Sequence, residues 1–289
     1  MDALTTWFTE PFTLINGQRA LLAAVLIGFT NGYTSAYVVL KRSALKVGSL
    51  SHSLLPGIAL AIMVAGLSQA SAFLGAVFAA LITGLGSLFI ARSSRIDQDT
   101  ALAVLFTTAF AAGILLMHFL DIPSELDHWL FGNILGMSDA DLWTAFGIGA
   151  GATLFLTLFQ RPIVVTLFEP EVAASLGIPV RALSYGLMGM LVLVLVSSIQ
   201  AVGCILVLAL LAAPAATVSL FSDSPRTLFW AGGAVGAAGS ALALVAAYHL
   251  DLPAGSSIVV VLGLIFALAY TTSPKYGLAK VIRQQFSRG

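Results

Sequence analysis

Nine stretches of this 289-residue chain run for about twenty residues with almost no charge, at roughly 20–40, 50–67, 72–91, 100–119, 142–160, 183–199, 203–221, 228–248 and 256–273. That is the length a helix needs to cross the hydrocarbon of a bilayer. None shows the alternation expected of a membrane-barrel strand. A backbone in lipid must satisfy its hydrogen bonds internally, so helices are the remaining solution. The expected fold is therefore all-α: a polytopic helical membrane protein with about nine transmembrane helices (eight to ten). Residues 1–289 read as a single domain, with spans over roughly 20–273 and a basic tail at 274–289. The region 183–221 is nearly continuous and leaves room for a re-entrant piece. Only 9% of residues are Asp, Glu, Lys or Arg, against roughly 25% in soluble proteins. So few charges cannot clothe a water-facing surface, which excludes a soluble enzyme, a nucleic-acid binder and a disordered chain. Membrane lipid is the surrounding medium, and nucleic acid is no partner.

Lysine and arginine set the orientation, because short cytoplasmic loops collect them. With the N-terminus outside and the C-terminus inside, the inner loops hold Lys41, Arg42, Lys46, Arg92, Arg95, Arg161, Arg181, Arg226, Lys275, Lys280, Arg283 and Arg288, 12 of 13 basic residues. Arg19 alone is left outside. Eight of the 13 acids fall on the outer side: Asp2, Glu10, Asp121, Glu125, Asp127, Asp139, Asp141 and Asp251. An acidic outer surface would concentrate cations. The N-terminal MDALTTWFTEPF lacks the positive start of a secretory signal, so the first span is expected to insert uncleaved. Cys204, the single cysteine, allows neither an intrachain disulfide nor a thiolate metal cluster. Small residues one turn apart, at Gly28 and Gly32, Gly147 and Gly151, and Gly232, Gly236 and Ser240, are expected to let helix backbones approach closely.

An ionisable side chain inside a span is costly and marks a pathway. None falls near the middle of any of these stretches, which weighs against a carrier driven by protons or sodium. The phosphate-cradling pattern GxxxxGK[ST] is missing, so this chain cannot hydrolyse ATP unaided. Uphill movement would have to draw on another subunit. Intramembrane proteolysis lacks a GxSG serine, paired aspartates and HExxH. Ser51 and His52 are adjacent, and on a helix such neighbours point about 100° apart.

Three segments carry information. In SLSHSLLPGIALA (49–61), His52 enters an apolar run just before Pro56 and Gly57. A proline in a span frees a backbone carbonyl that a neighbour or a cavity must satisfy. His52 reads either as a transition-metal ligand beside that break or as an interfacial histidine bonded to backbone. VGCILVLALLAAPAAT (202–217) is interrupted by Pro214 and, on its own, reads as a bent packing helix. LFEPEVAASLGIPV (167–180) lies on the inner side. Its Glu169 and Glu171, alanines and closing Gly177 and Pro179 read as a short capped helix that a soluble partner could grip, or as a plain surface loop.

Five phrases stand in register within a likeness that runs from about Arg19 to Tyr270: SHSLLPGIALA (Ser51 to Ala61), LFGNILGMSDADL (130–142), the inner-loop set Phe168, Pro170, Glu171, Ala173, Leu176 and Gly177, the block from Gln200 to Thr217, and LDLPAG (Leu250 to Gly255). Together they resemble the permease subunits of ABC importers for zinc, manganese and iron. The resemblance implies a multi-pass permease of a prokaryotic plasma (inner) membrane. It would pair with a second copy or a close paralogue around a central pathway for a divalent metal ion. A cytosolic ABC ATPase dimer would carry the ATP, and an extracytoplasmic metal-binding protein would deliver the ion. No cofactor is implied in this chain. Glu169, Pro170, Glu171, Ala173, Leu176 and Gly177 match the helix that couples to the ATPase. His52 matches a pathway residue, with Pro56, Gly57 and Pro214 bending the helices around it. Two positions depart from the family pattern: Gly48 stands where relatives place an Asp four residues before the histidine, and Ala174 where they often have Arg. The alternatives are an ABC permease for a metal chelate of the siderophore or cobalamin kind, whose chains tend to be longer, and a non-transporting membrane scaffold.

Overall fold

The computed structural model describes residues 15–66, 68–118 and 134–275. Among these residues every regular element is a helix: α1 (Ile15–Leu40), α2 (Ala44–His52), α3 (Leu55–Ala65), α4 (Gln69–Ser93), α5 (Gln98–Met117), α6 (Asp139–Leu158), α7 (Gln160–Phe168), α8 (Pro170–Ser175), α9 (Val180–Val202), α10 (Cys204–Ser219), α11 (Pro225–His249) and α12 (Ala254–Thr272), with a 3-10 turn at Ile134–Gly136. Among the described residues, eight spans are long and apolar enough to cross a membrane, counting α2 and α3 as one broken span. The 16-residue α10 is a ninth, shorter apolar helix. All nine apolar stretches of the sequence thus became helices. The near-continuous region divides at Gly203, whose φ of +84° ends α9 and starts α10 with no intervening loop. Glycine takes that backbone angle without a steric penalty.

The second span breaks where Pro56 dictates. Proline has no N–H for the carbonyl four residues back, and its ring collides with that carbonyl, which here belongs to His52. The helix stops at His52 and resumes at Leu55, with Pro56 in the first turn of α3. A first-turn N–H would have had no helical partner in any case.

Helices in lipid gain little from burying apolar surface against one another, so close packing and hydrogen bonds hold them together. At the α1–α11 crossing, a Cβ on Gly28 would stand 2.6 Å from the Gly236 carbonyl oxygen, and one on Gly32 would collide with that of Gly232. Two of the three small-residue stripes therefore meet each other. The third does not, since Gly147 and Gly151 have nothing within 4 Å among the described residues. A further backbone contact, α3 on α4, brings Gly57 so near Gly75 that no side chain fits at either. Asn31, fully buried in α1, donates to the Ile27 carbonyl (2.8 Å) and to Ser198 Oγ on α9 (2.7 Å). The outcome is a central α1, packed by α10, α11 and α6, and a second group of α3, α4 and α5 joined to it through α9.

Polar contacts sort the helix ends into two sides. At one end Lys46 meets Asp99 (2.6 Å), the Arg92 guanidinium lies 5.0 Å from the Tyr185 ring centre, and Lys275 pairs with Asp223. At the other, Arg19 meets Asp139 (3.0 Å), and Asp141 accepts from Gln69 (2.9 Å) and Gln200 (3.0 Å). The long helices cross between these ends in alternation. Of the basic residues described, Arg19 alone lies at the second end; the first is the basic end.

Candidate functional site

His52 closes α2 with its side chain exposed, the ring lying edge-on to Phe110 of α5 at 5.7 Å and 71°. One turn back along α5, Thr107 is also exposed. One turn back along α2, Gly48 shares the His52 face. A Cβ at Gly48 would stand 3.4 Å from Leu208 of α10, an ordinary contact, so the position admits a side chain. The Lys46–Asp99 ion pair fixes the start of α2 to the start of α5. α2 is thereby held between α5 and α10, its exposed edge carrying Leu45 and His52, with Ser49 half-buried beside them.

The other residues singled out in the sequence have separate surroundings. Pro56 makes the break that leaves the His52 carbonyl without its helical donor. Gly57 serves the contact with Gly75. Pro214 lies inside α10, six residues past Leu208 and about 9 Å further along the helix. Beside it, Ser35 Oγ of α1 accepts the Ala215 N–H (3.0 Å) and donates to the Gly32 carbonyl (2.6 Å), tying this turn of α10 to α1. What the His52 edge offers an ion is one imidazole nitrogen and, at the break, a carbonyl oxygen. Such a sparse N/O set suits brief handling of a divalent transition metal rather than storage. Among the described residues no group of three or more His, Cys, Asp or Glu could hold a metal ion.

The inner-loop candidates form their own structure at the basic end. Glu169 precedes α8, Pro170 and Glu171 occupy its first turn, and Ala173 is fully buried beneath it. Gly177, at φ +78°, reverses the chain, its N–H donating to the Ala174 carbonyl and that of Ile178 to the Ala173 carbonyl, both at 3.0 Å. This is a glycine-terminated helix end. Phe168, Val172 and Leu176 stay 59%, 47% and 67% exposed around it. Three exposed apolar side chains beside exposed Glu169 and Glu171 make a surface suited to a protein partner.

Other polar anchors escaped the sequence reading. Asp141 takes both glutamines on Oδ1, and its Oδ2 accepts from the N–H and hydroxyl of Ser138, a capping box that the Ser-x-x-Asp spacing does signal. Asp97 caps α5 through the Thr100 N–H and hydroxyl, which hold its carboxyl below the usual carboxylate range. Lys41 donates to Tyr37 Oη at 3.0 Å. Burial holds its ammonium below the usual lysine range, with Asp99 pulling the value up and Arg92 pushing it down. The expected outer acids Asp2, Glu10, Asp121, Glu125 and Asp127, and the tail cations Lys280, Arg283 and Arg288, lie outside the described residues.

Residues 15–273, from the start of α1 to just past α12, match the ABC 3 transport family. The chain belongs to that family. The manganese transport system membrane protein MntC of Halalkalibacterium halodurans is 37% identical over 279 residues, covering 96% of this chain and 94% of that one. The chelated iron transport system membrane protein YfeD of Yersinia pestis is 35% identical, covering 93% and 89%. Among solved structures, PsaBC from Streptococcus pneumoniae in complex with Fab superposes with a TM-score of 0.83 at 32% identity, covering 96% and 99% of the two chains. A metal-chelate type ABC transporter in an inward-facing conformation shares the fold alone, with a TM-score of 0.72 at 17% identity. The ABC 3 match takes in both the α2–α3 break with His52 and the α7–α8 segment.

Proposed function

We propose that this ABC 3 family member is the transmembrane permease subunit of an ATP-driven importer of a divalent transition-metal ion, manganese or iron before zinc. The observation that carries the reading is the exposed His52 at a proline-made break in a span, on a chain whose relatives are named for manganese and iron transport. The ion is cargo. It would pass along the α2–α5 edge, meeting the His52 imidazole and the carbonyl that Pro56 releases, and would leave readily because so few donors hold it. A second copy, or a close paralogue, would close that edge into a pathway. The basic end would face the cytosol, since basic loops are retained there. Energy would enter at α8, where Phe168, Val172, Leu176 and Glu171 would seat in a cytosolic ATPase dimer. An extracytoplasmic binding protein would deliver the ion to the opposite end, in the plasma membrane of a prokaryote.

The test is reconstitution of the permease with its ATPase and binding protein in vesicles. Uptake of manganous or ferrous ion that needs ATP, with the permease alone accumulating nothing, is the expected result. Accumulation by the permease alone would overturn the proposal. YfeD is named for chelated iron, and uptake of iron only in the presence of a chelator would favour a chelate as cargo.

A further inference from the structure

A groove of about 460 Å³ opens on the flank formed by α1, α6 and α11, lined chiefly by Val25, Leu26, Phe29, Phe146, Ala150 and Leu154. Thr157, one of its lining residues, shares a hydrogen bond with Tyr33 Oη at 2.8 Å. α6 presses on α1 where Gly149 leaves room for Thr30, and the apolar cleft opens around that contact. This flank is separate from the His52 edge: α6 packs on α1 and α9, whereas α5 packs on α2, α3 and α4.

The helical register places one ion pair above this groove, about 10 Å beyond its nearest lining residues along α1 and α6. Seven residues are about 20° short of two turns and eleven about 20° past three, so Arg19 stands above Leu26 and Thr30 on α1. Asp139 stands above Phe146 and Ala150 on α6 by the same spacing. The two meet at 3.0 Å, with the Arg19 side chain 40% exposed. The groove's α1 wall runs from Val25 to Thr30, and from Arg19 to Thr30 is about 16 Å along the helix, within one leaflet of a hydrocarbon core about 30 Å thick. Trp143, one turn below Asp139, is 73% exposed, with Phe146 edge-on to it at 5.9 Å. An exposed tryptophan at that height marks the headgroup level of the membrane. Arg19 is the one basic residue described at this end of the molecule. A guanidinium has five donors, so one carboxylate does not exhaust it, and its planar fork suits a phosphate.

We propose that this flank is a seat for a single phospholipid of the leaflet opposite the basic end. One acyl chain lies in the α1–α6–α11 groove and the phosphate lies on Arg19. A second permease copy fits the flank less well, because an exposed ion pair at headgroup depth stands above the apolar cleft. The seat does not depend on what the permease carries.

Native mass spectrometry of the detergent-solubilised wild-type protein, titrated with dioleoyl-phosphatidylglycerol, tests it. One lipid per chain should persist at detergent concentrations that strip the others. A smooth statistical ladder without that step would overturn the seat even if every variant failed to fold. Ala150→Trp, which fills the groove, should weaken the retained lipid at least tenfold, and Arg19→Ala should weaken it several-fold. Undiminished retention in Ala150→Trp would remove the groove from the proposal. A spontaneous disulfide between copies carrying Ala150→Cys in native membranes would make the flank a protein seam and overturn the lipid.

Discussion

His52 and Gly48 lie one turn apart on a helix that Pro56 ends, and this juxtaposition controls how firmly an ion can be held. With glycine at 48, the only side-chain ligand on that face of α2 is the imidazole. Gly48→Asp should fold as well as the native chain: a Cβ there meets Leu208 at an ordinary 3.4 Å, and Asp in a helix is a few tenths of a kcal/mol better than Gly. Its carboxylate would stand beside the imidazole and complete an N/O pair for a divalent metal. The expected outcome is a half-saturating metal concentration several-fold lower and a slower maximal uptake, because a tighter site releases more slowly. Vesicle uptake of manganous ion measures both, and no change in either would detach Gly48 from the path. His52→Ala should reduce uptake to background while the permease still copurifies with its ATPase. Native uptake in that variant would remove His52.

At the scale of elements, glycines within spans have opposite consequences according to what packs on them. Gly57→Ala puts a methyl against the Gly75 backbone, where rigid main chain cannot yield. Overpacking of this kind costs roughly 1–3 kcal/mol, so its thermal unfolding in detergent should shift down clearly. Gly147→Ala adds a methyl where nothing lies within 4 Å and should leave the midpoint unchanged or raise it. Equal midpoints for the two variants would contradict the α3–α4 contact. The coupling element has its own test. Glu171→Arg reverses a charge on the exposed first turn of α8 without touching the buried Ala173, so ATP hydrolysis should persist while metal uptake per ATP falls sharply. Full coupling would exclude Glu171 from the contact. These contrasts also mark what the sequence discloses. Spans are legible because lipid demands a fixed apolar length, and the break after His52 because Pro56 must reject its carbonyl. The division of α9 from α10 at Gly203 falls where the separate stretches 183–199 and 203–221 leave it, although the region between them is nearly continuous. The partner of a small-residue stripe is not legible: Gly28 and Gly32 meet Gly236 and Gly232, while Gly147 and Gly151 meet nothing among the described residues. Nor is the convergence on Asp141 of Gln69 and Gln200, 72 and 59 residues away, because it exists only once α4, α6 and α9 are packed.

For the whole molecule, the two-sided arrangement follows from the chain itself before any membrane is invoked. Lys46 with Asp99, Arg92 with Tyr185, and Lys275 with Asp223 join helix ends that alternate along the sequence. Arg19 with Asp139 and Gln200 with Asp141 join the complementary set. Alternation is internal to the fold, whereas the facing of the basic end is decided by insertion, which keeps lysine and arginine in the cytosol. The acids give little help among the described residues, since Asp97, Asp99, Glu169, Glu171 and Asp223 lie at the basic end and Asp139, Asp141 and Asp251 at the other. The orientation therefore rests on the cations, and cysteine labelling in intact spheroplasts reads it directly. Ala140 and Ala174 are both exposed, at opposite ends, and neither side chain makes a hydrogen bond that a substitution would break. Ala140→Cys should react with a membrane-impermeant maleimide from outside. Ala174→Cys should react only after lysis, with buried Cys204 silent in both. The reverse pattern would place α8 outside the cell, beyond reach of any cytosolic ATPase, and the importer reading would fail with it.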